Sequence, residues 1–463
     1  MVRTDRVGPA AAFAVAWLAY FTALQWSVVR FRVPIVATLV VCAVALAAWQ
    51  WRRADVRLTP PTVTAMLAGS ALATLTVPLF SYLPDTGLAV ATTSLVAGPL
   101  AVAALLWSGR ERAAGAAAVV ALVAFATASA TAVVTDPAPR IDVWVTLQQA
   151  ADALARGESF YEVEWTGSPG IQDAFTYLPW TATLLAPGRW LAGDVRWALL
   201  GWSLVGALGV WVLATRLPRG RASYGPEPGP RWRAAAAVAL LLLAPGTLTQ
   251  ADQAWTEPLL LAGLVWWAVL VERGRAWWAV LPLALACASK QHLALLLPVL
   301  LLWRPFGARR AVATGAVTAV LIAPWFLAGP ADFVHDTLTL LVSFHPIRFA
   351  NTLYLLALNT FGVTLPFWVT GLVVLGTLAG VGCAVWRRQP PLAELLRWLA
   401  LLLLVANLVN KQAFYNQFWL VGALVVVSLA LPSRVGPPPA AREGAPADDG
   451  ERAPRPGLPD QPA

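Results

Sequence analysis

Two lysines stand in a chain that otherwise uses arginine for positive charge. Of 33 Lys and Arg residues, 33 − 2 = 31 are arginine, and the exceptions are Lys290 and Lys411. Lys290 lies in ASKQHLALLLP (288–298) with His292 two residues on, and Lys411 lies in NKQAFYNQ (410–417). Carboxylates gather in two other polar stretches. TDPAPRIDVW (135–144) carries Asp136 and Asp142, and TQADQAWTEP (249–258) carries Gln250, Asp252 and Glu257. His345 and Arg348 fall in FHPIRFAN (344–351). A carboxylate can take the proton of an acceptor hydroxyl, and Lys290, His292, His345, Arg348 and Lys411 can neutralise an anion. Together they suit transfer of a group away from a phosphate, and at a site open to a bilayer a lipid phosphate is the natural leaving group.

Each of these residues also has a plainer reading. Asp142 can be a solvated carboxylate at a helix start, which the helix dipole favours, and Asp136, just before a proline, a turn residue. Lys290 can be a phosphate ligand, a compact point charge, or a helix-end lysine snorkelling to the interface. His292 can pack in a core. His345 and Arg348 can simply cover a loop, and Lys411 can anchor an interfacial segment. Gln250, Asp252 and Glu257 can hydrogen-bond a ligand's hydroxyls or cap the helix that begins near Pro258, capping being the safer reading for Glu257.

The elements that must position these groups are membrane helices. The 463 residues are 59% hydrophobic and 12% charged, with mean hydropathy +0.65. Apolar runs recur at lengths near the roughly 20 residues a helix needs to cross a bilayer. Continuous Leu/Ala/Val blocks exclude a β-barrel, whose strands alternate. The net charge of +9 comes from arginines in short loops, as positive-inside topology requires, and does not point to nucleic acid. Cys42, Cys287 and Cys383 lack pairing or ligand spacing, and no P-loop or dinucleotide fingerprint is present. Neither a cofactor nor an obligatory metal is expected.

Candidate spans fall near 9–29, 33–50, 62–82, 87–107, 113–134, 197–215, 234–249, 259–271, two half-length helices within 276–303, then 310–328, 363–386, 395–409 and 414–431. The total is about 14. With both termini cytoplasmic, WRRADVR (51–57), SGRER (108–112) and the Arg-rich loop 216–233 lie inside. The polar stretches named above then all lie outside, with Ser289 to His292 at an outer apex. The largest external loop is 135–196. In it, Trp144, Leu147, Ala151 and Leu154 share one helical face opposite Asp142, Thr146, Gln149, Asp152 and Arg156, the pattern of a helix resting on the membrane surface. FTYLPWTATLLAP (175–187) is read as a second interfacial or re-entrant helix. The tail 432–463 is expected to be disordered in the cytoplasm.

DPAPRIDVWVTLQQAADALARGESFYEVEW, followed by FTYLPWTATLLAP, resembles the GT-C class of integral-membrane glycosyltransferases, and most of all glycosyltransferase family 87. The matching positions are Asp142, Gly157, Tyr161 and the Phe175, Tyr177 and Pro179 group. QADQAWTEP, SKQHLALLLP and NKQAFYNQFW look similar too. The likeness covers about 135–430. Tyr-Leu-Pro replaces the family's Tyr-Pro-Pro, and about four extra spans precede the helix that leads into the catalytic loop.

The resemblance implies an all-α polytopic GT-C-like fold. A catalytic membrane domain would occupy 108–431, with the catalytic loop at 135–196, leaving 1–107 without a role. It also implies inverting transfer of mannose or a similar sugar from a polyprenyl phosphate to an extracytoplasmic glycan or glycolipid. Asp142 would be the general base. Lys290, His345, Arg348 and Lys411 would hold the donor phosphate, and Tyr177, Gln250, Asp252, Glu257, His292 and Gln412 the sugar or acceptor. Lys-poor, Arg-rich usage points to a G+C-rich genome, and cell-envelope glycan synthesis is a fitting setting. The alternative is a lipid-sugar flippase or other transporter, which should place charges through the membrane depth and show repeat symmetry.

Overall fold

The computed structural model describes residues 7–53, 56–215 and 228–431. The expectations for the tail 432–463, and for most of the Arg-rich loop 216–233, lie outside these residues. Among them no strand forms. The helices run in order α1 (Val7–Ser27), α2 (Val33–Arg52), α3 (Pro60–Thr76), α4 (Asp85–Leu106), α5 (Glu111–Thr135), α6 (Asp142–Arg156), α7 (Trp180–Ala192), α8 (Val195–Thr215), α9 (Pro230–Leu242) and α10 (Leu248–Asp252). They continue with α11 (Glu257–Glu272), α12 (Val280–Cys287), a 3-10 turn (Gln291–Leu296), α13 (Leu297–Leu302), α14 (Gly307–Ala328), α15 (Pro330–Val334), a π turn (His335–Thr339) and α16 (Leu340–Ser343). Last come α17 (Leu353–Phe361), α18 (Phe367–Arg388), α19 (Leu392–Val409) and α20 (Tyr415–Ala430).

Eight of these helices are long and apolar enough to cross a membrane: α1, α2, α4, α5, α8, α14, α18 and α19. The protein is an all-helical, multipass membrane protein. Its apolar surface is turned outward as well as inward. Helix α14 buries only Ala311 and Thr314, while Val320 and Leu327 stand exposed; α18 likewise exposes Leu372 and Leu375. That arrangement suits lipid as the solvent. At the centre sit α9 and α20, buried on nearly every face. With no hydrophobic drive between helices in lipid, close approach depends on small residues. A Cβ added to Gly98 of α4 would lie 2.5 Å from the Ala124 Cβ of α5, so the α4–α5 contact needs a glycine there.

The chain ends of these helices sort into two sets. At one end lie the 27–32 turn, the 77–84 loop, the 136–142 turn, α6, α7, α10, the 288–290 break, the segment from α15 to α17, and residues 410–414. Cross-links confirm the grouping. Asn351 donates to the Ser27 and Arg30 carbonyls, Tyr82 N–H donates to Asp252, and Phe175 N–H donates to Asp336. At the opposite end, Trp303 donates to the Pro390 carbonyl and Trp232 to that of Leu106.

A second core caps the first end. Phe160, Tyr161, Trp165, Phe175, Tyr177 and Phe333 are all buried there; the Phe160–Phe175 pair at 4.9 Å closes the loop after α6 on itself, and the Tyr161–Phe333 pair at 4.9 Å holds α15 against it. Such edge contacts add roughly 0.5–1.5 kcal/mol each beyond their burial.

Two expectations about this cap are corrected. Helix α6 does begin at Asp142 and stop at Gly157, whose φ of +72° is the left-handed cap that glycine adopts without strain. It does not, however, rest on one apolar face. Thr146 and Gln148 are buried, because Gln148 bonds the Gly193 carbonyl and the Val195 amide and Arg189 forks onto Asp152. Nor is FTYLP helical: α7 starts only at Trp180. Residues 175–179 form no helix, and their backbone is satisfied from elsewhere: Leu178 N–H donates to the Ser289 carbonyl at 3.2 Å, and Gln291 donates to the Thr176 carbonyl at 2.9 Å. The break within 276–303 falls where expected, since Lys290 is extended (φ −149°) between α12 and the 3-10 turn. Helix α17, nine residues long, was not anticipated.

Candidate active site

The sequence places its strongest charges at this capped end. Asp142 opens α6, where its Oδ1 accepts the Val143 N–H at 2.8 Å and the Ile171 amide also donates to the carboxylate. The loop after α6 folds back over it so tightly that a Cβ on Gly170 would stand 2.6 Å from Asp142 Oδ2. Burial pushes the Asp142 carboxyl above the ordinary carboxylate range, with the amides opposing the shift.

Lys290 is 8% exposed and already has partners. Its Nζ lies 2.5 Å from Glu257 Oε1, 3.4 Å from Thr256 Oγ1 and 5.3 Å from the centre of the Tyr177 ring. An ammonium carries three N–H donors, so these two acceptors leave one. Glu257 is not a cap: it is the first residue of α11, follows Thr256 as N-cap, and also accepts from Asn416 Nδ2 at 2.9 Å. It thereby fastens α11, the 288–290 break and α20 together.

Two tyrosines tie the groups into one site. Tyr177 is held neutral first by burial and then by the nearby negative charges of Glu257 and Asp142. Tyr82, in the 77–84 loop, is raised by burial, then by Asp252 and Asp142. Asp252 is fully buried and takes the Tyr82 N–H and the Ser81 hydroxyl. Burial outweighs these bonds and pushes its carboxyl up to about 7. The charges of Asp252 and Asp142 thus bear on Tyr82, and those of Glu257 and Asp142 on Tyr177, whose ring Lys290 approaches, from chain segments as far apart as the first third and the middle. A left-handed Ala254 (φ +53°) makes the bend between α10 and α11; such a backbone costs of order 1–3 kcal/mol in a non-glycine residue, and it separates the Asp252 and Glu257 carboxylates onto two helices.

The remaining predicted residues form a different group at the same end. Lys411 Nζ donates to the carbonyls of Val342 and Phe344, both at 2.6 Å, and partial burial lowers its pKa. Gln412 donates to the His345 carbonyl at 3.1 Å. His345 is exposed and stacks on Phe344 at 4.3 Å, and Arg348 is exposed. No hydrogen bond or ion pair among the described residues joins this group to Asp142. His292, half-buried, follows Lys290 at the start of the 3-10 turn. Gln250 is buried inside the bundle, where it lines a cavity of about 10 Å³ with Ser203, Leu242 and Trp419.

Several supporting residues escaped the sequence reading. Arg196 is wholly buried, forks onto Asp194 and donates to the Asp136 carbonyl at 2.6 Å. It holds the last turn of α5 and so sets the turn leading to Asp142. Asp136 itself is raised by burial, with Arg196 opposing. Gln291 bridges the Thr176 and Thr337 carbonyls. Its one sequence signal was that both lysines precede a glutamine. Unpartnered buried polar atoms also crowd this end, among them Gln253 Nε2, Glu257 Oε2 and Asn416 Oδ1. Among the described residues no group of three His, Cys, Asp or Glu could hold a metal ion.

The described residues thus form a multipass helical membrane protein with several carboxylates and a lysine gathered at one end. The sequence model of glycosyltransferase family 87 matches residues 175–410, just over half of the chain, and the protein belongs to that family. It is a glycosyltransferase. The matched stretch takes in Tyr177, Gln250, Asp252, Glu257, Lys290, His292, His345 and Arg348; Asp142 precedes it and Lys411 follows it by one residue. No curated protein matches the chain.

Proposed function

We propose that the protein transfers a sugar, mannose or a similar hexose or pentose, from a polyprenyl-phosphate donor to a glycan or glycolipid acceptor outside the cytoplasmic membrane. In this reading both termini are cytoplasmic, and the capped end faces outward. The shorter helices α3, α9, α11 and α20, with the half-helices on either side of Lys290, complete about 14 crossings. Residues 1–107 then pack beside a catalytic membrane domain at 108–431.

The observation that carries the proposal is the convergence on Tyr177: the Lys290 ammonium lies against its ring, and the charges of Asp142 and Glu257 both bear on its hydroxyl. Asp142 takes the proton of the acceptor hydroxyl. The acceptor oxygen attacks C1 of the sugar from the face opposite the phosphate, and the C1–O bond breaks with its electron pair retained by the departing phosphate. The anomeric configuration inverts. Lys290, through its remaining N–H, stabilises the charge that grows on the phosphate. His345, Arg348 and Lys411 form the rim through which the phosphate is drawn in. Gln253, Glu257 and Asn416 offer unpartnered polar atoms that sugar hydroxyls would satisfy, with Asp252 beside them; buried polar atoms without partners are rare in folded proteins.

A raised Asp142 suits this work, since a general base is most effective when its pKa approaches the operating pH. The test is transfer by purified protein supplied with polyprenyl-phosphate sugars and candidate acceptors, with product configuration read by NMR. Inverted product from the lipid donor is expected. Transfer from a nucleotide sugar instead, or lipid movement across vesicles without transfer, overturns the proposal, the second outcome in favour of a flippase.

A further inference from the structure

An apolar groove lies far from this site. It runs between α1, α2, α19 and α20 and encloses about 360 Å³, within the range of pockets that take small ligands, about 300–1,000 Å³. Phe13, Leu46, Leu404 and Val425 are on its walls, and Arg52 is its one charged lining residue. Ala12 and Ala45, both exposed, lie at its lip.

The groove's charged end is the end opposite Asp142. Helix α2 has 20 residues, so its Arg52 terminus is about 30 Å from the 27–32 turn. Around that terminus the surface is basic and aromatic. Arg53 is exposed, Arg388 donates to the Gln50 carbonyl, and the Arg397 guanidinium sits 4.5 Å over the ring of Trp49, which lines the groove. Among the described residues, Glu394 is the acidic residue nearest this cluster in the bonding, and its carboxylate is engaged by Trp398.

We propose that this groove binds one anionic phospholipid from the leaflet opposite the candidate active site, an acyl chain along α1 and α2 and the headgroup phosphate at Arg52. The combination of an apolar channel and a cationic mouth matches an apolar chain and a phosphate in turn. It gives the first two helices a purpose separate from catalysis: they hold a structural lipid against α19 and α20, the elements that carry Lys411 and Asn416 at their other ends.

The test is native mass spectrometry of the full-length protein, delipidated in detergent and titrated with phosphatidylglycerol or with phosphatidylcholine of the same chains. One phosphatidylglycerol is expected to bind in preference to phosphatidylcholine. Arg52→Gln should weaken phosphatidylglycerol about fivefold, the effect of one basic residue at an anionic surface, and weaken phosphatidylcholine less, since its choline offsets the phosphate charge. Ala45→Trp, which fills the groove, should abolish the bound lipid, and Ala12→Leu serves the same purpose if Ala45→Trp does not fold. Equal binding of the two lipids by the wild type, or undiminished binding by the filled groove, overturns the proposal. So does displacement of phosphatidylglycerol by polyprenyl phosphate, which would assign the groove to the donor's chain instead.

Discussion

The Lys290–Glu257 pair separates a structural lysine from a catalytic one. Its side chains are 10% and 0% exposed, so neither charge is relieved by water when the other is removed. Deleting one partner of such a pair costs about 3–5 kcal/mol, because a buried charge is left uncompensated, whereas removing both charges together is often neutral. Lys290→Met and Glu257→Gln should therefore each destabilise the protein strongly. The double variant should recover most of that loss, read as thermal unfolding in the same detergent. Transfer should behave otherwise. An ammonium–phosphate hydrogen bond is worth about 1.5–3 kcal/mol, or about 10- to 150-fold in rate, and the double variant still lacks it. Stability is thus expected to return while single-turnover transfer stays low. If the double variant regains both, Lys290 serves only to balance Glu257, and its assignment to the donor phosphate fails.

Asp252 gives a pH test that needs no substrate. Its carboxyl is held near 7 in the folded protein against an ordinary value near 4. The neutral form is the one the fold accommodates, so the stability Asp252 contributes is fully present below about pH 4 and is lost as pH rises through 7. Asp252→Asn should melt higher than wild type at pH 8 and lose that advantage at pH 5; a difference independent of pH would show that Asp252 is ionised throughout. For Asp142, raised in the same direction, transfer should climb with pH along an acid limb displaced upward from that of a free carboxylate, and an undisplaced limb would contradict a buried base. Gly170→Ala puts a methyl 2.6 Å from Asp142 Oδ2, so it should cut transfer far more than it lowers the melting temperature; equal losses would mean that the loop yields and Asp142 stays in place.

Much of this arrangement can be read in the sequence where the signal is local. A carboxylate at the start of an amphipathic run and a glycine at its end bound α6 correctly, since helix caps are set by neighbouring residues. The charge rule marks the break between α12 and the 3-10 turn, since one long helix through 276–303 would carry WRPFGARR to the outer side. What failed depends on partners distant in sequence. FTYLP has the apolar content of a helix, but its backbone is taken by Ser289 and Gln291, more than a hundred residues on. Glu257 looks like a cap until Lys290 is folded onto it. Arg196, in a stretch that reads as loop and span boundary, turns out to be the buried clasp on α5, and Tyr82 joins the site through a loop from the N-terminal region to which the sequence assigned no role.

Single-turnover transfer by Asp142→Asn, measured beside donor binding, bears most directly on the chemistry. The substitution removes a charge that the site disfavours and keeps the shape of the side chain, so the variant should remain folded and should bind the polyprenyl-phosphate sugar as the wild type does. Loss of a general base lowers the rate by about 10²- to 10⁴-fold, and transfer should fall by that much. Transfer at the wild-type rate, with binding intact, would remove Asp142 from the reaction.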